Sequence, residues 1–401
     1  MTFLSQVNDL ILDNFPTYKP WAESIGYFML ACASWKAYLP GGGLGLPLTF
    51  NPWCIGPSRL AFKSTASSIV KPILKGCGIH IETEYTSEKF TTDAQQIFKK
   101  EGSFHCAIVR DETSGLIANV NKRYNSDGLS FLSKLLDPGV IDSRNTHAHG
   151  LEEDIPVRVN FISACTPQVF SIIDVDFWTQ GLGNRLTPDY VTERILNDSC
   201  ACPNKTDAIY FQNRIDGCIA ELKHHIAANV EKIIYAPDVD ELTTQVEFTK
   251  RRKCTKDYFE DIWSIIPSYE YECQVTTKKI AALIAIDEQP NESGPTVYMP
   301  QYKRAEAWIA DRFAEFIVIH DKWAECRDKN LMRSRSQSVE EKILSYIKRH
   351  GSITYTELNN NVAGDSVEKK KVMEAMWSMK KLNQVETSKG HKYVLVESQC
   401  K

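Results

Sequence analysis

Residues 55–65 read IGPSRLAFKST, and the fold turns on whether this stretch is a phosphate-binding loop. The nucleotide-cradling pattern GxxxxGK[ST] needs glycines six positions and one position before its lysine, so that backbone N–H groups can fold around phosphates. Counting back from Lys63, those positions hold Pro57 and Phe62. Lys63 and Ser64 are in register, Gly56 is displaced by one, and the second glycine is replaced. The flanks favour the reading. Leu48-Thr49-Phe50 and Trp53-Cys54-Ile55 are β-formers that lead directly into the loop, and Ser64 to Leu74 (STASSIVKPIL) has helical spacing. Strand, loop, lysine, hydroxyl and helix in this order suit an anion, because a helix N-terminus adds its dipole to the site. On this reading Gly56, Ser58, Arg59, Lys63, Ser64 and Thr65 surround the phosphates of ATP.

Further along, Ser87 to Lys100 reads as a helix, and Phe104 to Val109 (FHCAIV) as a buried strand of a parallel sheet, ending in Arg110-Asp111-Glu112. Val157 to Ile162 is another strand, running out into Ser163-Ala164-Cys165-Thr166-Pro167. Strands separated by helices, with polar residues gathered at their C-terminal ends, describe an open α/β sheet whose ligand sits in that crevice. Nucleotide hydrolysis needs a lysine on the phosphates, a hydroxyl on Mg²⁺, an acid near the metal and a group that orients water. Lys63 and Ser64 fill the first two roles. Asp111 is then the metal's acid, Glu112 polarises the attacking water, and Thr166 senses the terminal phosphate. In DFWTQGLGNR (176–185) two glycines precede a single arginine, and Arg185 is suited to reach a phosphate in its own or a neighbouring subunit. Each piece alone has an ordinary structural explanation as a turn, a strand end or a surface charge. Their order on alternating elements is what carries the reading.

A resemblance follows from that order. The segments YTSEKF (85–90), AIVRDETSGLI, SFLSKLLDPGVIDSRNT, NFISACTPQVF and FWTQGLGNR resemble a family of P-loop proteins of uncharacterised function. That family occurs in phage, plasmid and other mobile-element primase–helicase chains, with motifs of the form T-P-E, a D-E strand, L-Y-D-G, T-x-P and G-L-x-x-R-F. The resemblance covers roughly residues 20–320. It implies a RecA- or AAA-like ATPase core in which Lys63, Ser64, Asp111, Glu112, Thr166 and Arg185 hold the roles given above. Phe62 departs from the pattern where a glycine would allow φ > 0, and Leu136-Asp137-Pro138-Gly139 keeps part of the L-Y-D-G element.

The C-terminal part has a different pattern. After helices over Lys278–Asp287 and Gln301–Trp323, a polar hinge at 333–338 (RSRSQS) is expected to separate off a domain. Helices over Val339–His350, Thr354–Val362 and Val367–Leu382, then a hairpin over Val385–Val396 turning at Lys389-Gly390, resemble a winged helix domain. Residues 329–401 hold 14 Lys and Arg against 8 Asp and Glu, a balance of +6 in a chain of net charge −4. A basic tail on an acidic body assigns polyanions to the tail, with Lys369, Lys370, Lys371 and Lys389 as the phosphate contacts on DNA. A winged helix can equally dock protein.

The expected fold is therefore α/β. A RecA/AAA-like P-loop core with a parallel sheet (49–250) follows an N-terminal helical segment (1–48), and a helical extension (251–332) leads to a winged helix (338–401). The expected function is a helicase-like replication ATPase of a mobile element, using ATP and Mg²⁺, handling DNA, and acting as a homo-oligomer, in the manner of a ring. The alternative is a non-hydrolysing initiator or scaffold with a degenerate loop. No apolar run reaches the ~18 residues of a membrane span, and no secretory segment opens the chain, so a cytoplasmic location is expected. GGGLG (41–45) lacks a strand–turn–helix setting and reads as a plain loop. The 12 cysteines are scattered, as small buried hydrophobes are. A zinc site is the minor reading, with Cys200-Ala201-Cys202 and either His224-His225 or His147-x-His149 as ligands.

Overall fold

The computed structural model describes residues 2–15, 17–40, 45–58, 61–82, 87–115, 117, 126–136, 139–141, 155–179, 181–191, 207–246, 265–362, 366–379, 382–387 and 390–395. The chain divides into two compact units, Met1–Asp321 and Lys322–Lys401.

In the first unit, helices α1 (Phe3–Asn14) and α2 (Lys19–Ala33) precede a small antiparallel pair, β1 (Tyr38–Leu39) and β2 (Leu46–Pro47). This pair flanks the glycine-rich loop, of which 41–44 lie outside the described residues. Pro20 opens α2, where its missing N–H costs nothing. The helix is apolar on nearly every side and is buried accordingly from Trp21 to Ala33. It lies against α1 and the sheet.

The sheet begins with β3 (Pro52–Ile55). The chain continues through α3 (Lys63–Ser67) and α4 (Val70–Gly76) to β4 (Ile81–Glu82), then α5 (Ser87–Glu101) and β5 (Phe104–Arg110). Next come α6 (Ser126–Leu136), β6 (Gly139–Ile141), β7 (Ile155–Cys165), α7 (Val175–Thr179) and β8 (Thr187–Tyr190). Five strands pair in parallel in the order β4-β5-β7-β3-β8, and β6 joins the start of β7 antiparallel. From β3 the chain leaves toward one edge of the sheet, whereas from its neighbour β7 it leaves toward the other. Each connection passes the other's strand, so the segments that follow β3 and β7 lie side by side at the carboxyl ends of the strands, the end at which open α/β sheets bind ligands. Two buried asparagines tie β7 to the residues just before β3: Phe161 N–H donates to Asn51 Oδ1 (3.0 Å) and Phe50 N–H to Asn160 Oδ1 (2.8 Å).

The structure departs from the sequence reading at three elements. The helix expected over 64–74 is two short ones joined by a turn at 68–69, where Ser68 N–H reverts to the Thr65 carbonyl at 3.2 Å. Pro72 explains the break, since it offers no N–H to the Ser68 carbonyl and its ring crowds that group. Strand β8 was not foreseen, because Thr-Pro-Asp-Tyr has turn composition. Pro188 is tolerated because β8 is an edge strand pairing with β3. The polar stretch 333–338 lies within one helix, α10 (Met299–His350), and holds no glycine or proline to interrupt it.

The rest of the first unit comprises α8 (Ala208–Ala228), α9 (Ile265–Glu288), the short parallel pair β9 (Ile234–Tyr235) and β10 (Thr296–Val297), and the start of α10. Arg312 on α10 reaches Asp189 on β8 at 2.9 Å, Ser24 on α2 donates to the same carboxylate at 2.6 Å, and Glu315 accepts from Tyr18 OH and Tyr190 N–H at 2.6 and 2.7 Å. This network fastens the sheet edge to two helices.

In the second unit the end of α10 packs with α11 (Tyr355–Asn361), α12 (Ser366–Ser378) and the antiparallel hairpin β11 (Leu382–Thr387) and β12 (Gly390–Leu395). Val339, Ile343, Ile347, Ile353, Leu358, Met373, Met376, Leu382 and Tyr393 form its core. A capping box starts α11: Thr354 accepts from Glu357 N–H while Glu357 accepts from Thr354 N–H. No helix among the described residues is long and apolar enough to cross a membrane.

Candidate functional site

The loop after β3 is fixed from both sides. Gly56 N–H donates to the Cys165 carbonyl at the end of β7 (3.1 Å), Thr17 Oγ1 donates to the Ala61 carbonyl (2.9 Å), and Trp21 Nε1 to the Lys63 carbonyl (3.2 Å). A Cβ on Gly56 would stand 3.0 Å from Val191 Cβ and 3.2 Å from Ala61 Cβ. Close approach of neighbouring chain, then, is the reason for this glycine.

Phe62 adopts φ 48°, ψ 27°, a left-handed conformation in the position where the phosphate-loop pattern carries glycine. A left-handed residue is thus present at that one position with a side chain on it, at a cost of about 1–2 kcal/mol. The phenyl ring is exposed rather than packed. Lys63, immediately after, is 7% exposed, and its ammonium donates to the carbonyls of Gly56 (2.7 Å) and Pro57 (3.1 Å). The lysine therefore curls over its own loop. Ser58, Ser64 and Thr65 are exposed around it; Arg59 lies outside the described residues. Since α3 is a single turn and a half before the break, its dipole is weaker than that of the continuous helix expected from the sequence.

The acidic pair stands on the second strand over. Thr113, buried beside it, donates its hydroxyl to Ser163 Oγ (2.8 Å) and its N–H to the Ala164 carbonyl (3.1 Å), tying the turn after β5 to the tip of β7. Glu112 accepts from the Ser114 N–H at 3.1 Å. Asp111 faces Lys71 on α4 at 3.6 Å, a mostly exposed pair worth little in water and readily exchanged. Burial raises the Cys165 thiol above its ordinary range, with the Glu112 carboxylate adding to the rise and Lys63 opposing it. Thr166 follows at the head of a 3-10 turn (Pro167–Ser171), half-buried.

Arg185 lies in the turn before β8, half-buried, with Nη1 donating to the Gly181 carbonyl at 2.7 Å, and the Arg185 carbonyl accepts from Asn51 Nδ2 at 3.2 Å. Gly181 has φ 83°, and a Cβ there would fall 2.3 Å from Arg185 Nη1. The glycine makes room for the arginine's fold-back.

The structure thus gathers Lys63, Glu112 and Thr166 at one end of three adjacent strands. Sequence reasoning missed the residues that hold them: Thr17, Trp21, Lys71 and Thr113. Thr113 alone left a local signal, as the residue following the acidic pair. In the second unit Lys370 and Lys371 are exposed, Lys389 lies outside the described residues, and Lys369 is buried, its ammonium donating to the carbonyls of Asn359 (3.2 Å) and Val362 (2.8 Å). That contact caps the end of α11, which corrects the expectation that Lys369 faces phosphates. Among the described residues no cluster of three or more His, Cys, Asp and Glu is placed to hold a metal. His225 lies 3.8 Å from Asp287, and burial lowers its pKa to about 4, so the ring is neutral at pH 7, while Cys200, Cys202, His147 and His149 lie outside the described residues.

No family model matches the chain, and no curated protein matches it significantly.

Proposed function

We propose that the chain is an ATP-binding, DNA-handling protein, a helicase-like replication ATPase of a mobile element. The observation that carries this reading is the order of the strands: the Lys63 loop follows β3, Glu112 follows β5, and β7, with Thr166 after it, lies between them. An ammonium on a strand–loop–helix turn and a carboxylate on the second strand over, with β7 between them, are the donor set for a nucleotide's phosphates and its attacking water. The residues present fit that group: Lys63 already binds two oxygens of its loop, so phosphate oxygens replace carbonyl oxygens at little cost in geometry. Lys63 would hold the phosphates with Ser58 and Thr65, Ser64 and Asp111 would hold Mg²⁺, and Mg²⁺ when bound supplies neutralising charge along the phosphates. Glu112 orients water, and Thr166 donates a hydrogen bond from the tip of β7. Arg185, which precedes β8 at the opposite end of the sheet from Lys63, would complete the site of a neighbouring subunit. The second unit, with three helical segments and a hairpin, acts as a winged helix whose Lys370 and Lys371 meet DNA phosphates.

ATP turnover measured with and without single-stranded DNA tests the reading. Turnover that rises with DNA and disappears in Lys63→Ala, with unchanged thermal unfolding, supports it. Nucleotide affinity that is equal in wild type and Lys63→Ala overturns it. A second reading, a non-hydrolysing initiator or scaffold, is favoured by Phe62, whose side chain stands where the pattern carries glycine, and it predicts binding without turnover.

A further inference from the structure

A cleft of about 670 Å³ opens at the opposite end of the sheet from Lys63. It lies where β5 and β7 begin, at Phe104 and Pro156, whereas Thr166 follows the other end of β7. Eleven residues of strand separate the two ends, roughly 33 Å at strand rise. Its volume suits a small organic ligand. The wall carries Trp35, Tyr38, Lys36, Arg158 and Lys232, with Glu231 as its acid.

These side chains are held in position. Trp35 stacks on His105 with centroids 4.2 Å apart and planes 5° from parallel. Arg158 lies over the Tyr38 ring at 5.1 Å, hydrogen-bonds the Tyr38 hydroxyl and donates to the Val157 carbonyl at 3.0 Å. Lys36 donates to Asn229 Oδ1 (2.8 Å), and Asn229 in turn donates to Glu231 Oε1 (3.1 Å), which engages the cleft's acid. Burial lowers the His105 pKa to about 4, so the ring behind Trp35 is neutral at pH 7 and the three cations set the sign of the cleft. Fixed aromatic rings interleaved with cations recognise a flat base carrying a phosphate.

We propose that this cleft binds a base-and-phosphate unit, either a free nucleotide or part of a single strand of nucleic acid. The site stands apart from the Lys63 loop and does not depend on it.

The test uses the full chain carrying Lys63→Ala, Lys370→Glu and Lys371→Glu, which silences the loop and the DNA contacts proposed for the second unit. Its probes are a fluorescein-labelled oligothymidylate of about twelve nucleotides, thymidine monophosphate and inorganic phosphate. Lys36→Glu and Lys232→Glu change exposed side chains and keep the fold, as a thermal melt will verify, and each weakens binding about tenfold at low salt. Trp35→Leu weakens it with an unchanged salt slope, because stacking releases no counterions. Oligonucleotide binding that the monophosphate competes away at equal nucleotide concentration marks a nucleotide site, and binding that resists such competition marks a strand site; both support the proposal. Absence of binding by the oligothymidylate and by thymidine monophosphate, affinities that ignore the two charge reversals, or competition by inorganic phosphate as strong as by the monophosphate would each overturn it.

Discussion

The guanidinium of Arg312 and the carboxylate of Asp189 meet at 2.9 Å with neither side chain more than 1% exposed. Removing one partner of such a pair leaves a buried charge without its counter-charge, which costs about 3–5 kcal/mol. Arg312→Met and Asp189→Asn should each lower the unfolding midpoint of the first unit strongly. The double variant should lose much less than the two single losses together. Urea unfolding followed by tryptophan fluorescence checks this, and simple additivity would refute the coupling.

Glu315 belongs to the same network. Burial, and then the negative charge of Asp189, raise its pKa to about 7 from an ordinary 4.5. The folded state therefore holds this proton more tightly than the unfolded chain. Its stabilising contribution is complete below about pH 4.5 and is lost as pH rises through 7. Comparing wild type with Glu315→Gln, the wild type should lose stability relative to the variant by on the order of 2 kcal/mol between those limits. A stability difference that stays flat with pH would contradict the assignment.

At position 62, glycine and valine should act in opposite directions. Phe62→Gly releases the left-handed strain but frees the unfolded chain, so stability should move by less than about 1 kcal/mol. Phe62→Val places a β-branched residue at φ 48° and should cost more than glycine saves. With the ring gone from the loop mouth, Phe62→Gly should also bind ATP more tightly. Calorimetric titration of both variants reads the two effects together.

Glu112→Gln should retain ATP and lose turnover, because the amide no longer polarises water. Arg185→Ala should lose turnover while fully loaded. Mixing the two inactive proteins should restore part of the activity if an arginine completes a neighbouring subunit's site. No recovery, together with a monomeric mass in ATP, would refute completion between subunits.

Among the tail lysines, Lys369→Met should destabilise the second unit by about 1–3 kcal/mol, since it uncaps the Asn359 and Val362 carbonyls. Lys370→Glu with Lys371→Glu should leave its melting unchanged and weaken duplex binding, with the salt slope falling by about 0.9 per lost phosphate contact. Equal melting losses in both variants would overturn this division of roles.

Local patterns determined the strands near 52–55, 104–110 and 155–165 and the helix from 87, because the apolar runs FHCAIV and VRVNFI have too few polar residues to lie anywhere but inside a sheet. They also placed Lys63, the Asp111-Glu112 pair and Thr166 at strand ends, and the capping box at Thr354 was written in its own four residues. Partners distant in sequence were decided only by tertiary structure. Arg312 and Asp189 are 123 positions apart, and nothing near either residue announces the other. Thr187–Tyr190 is a strand because β3 offers it an edge, against its own turn-like composition. Lys369, Lys370 and Lys371 are identical in type and adjacent in sequence, yet helix geometry turns the first inward onto the end of α11 and the other two to solvent. A helix advances about 100° per residue, and which face meets the core is set by what packs against it.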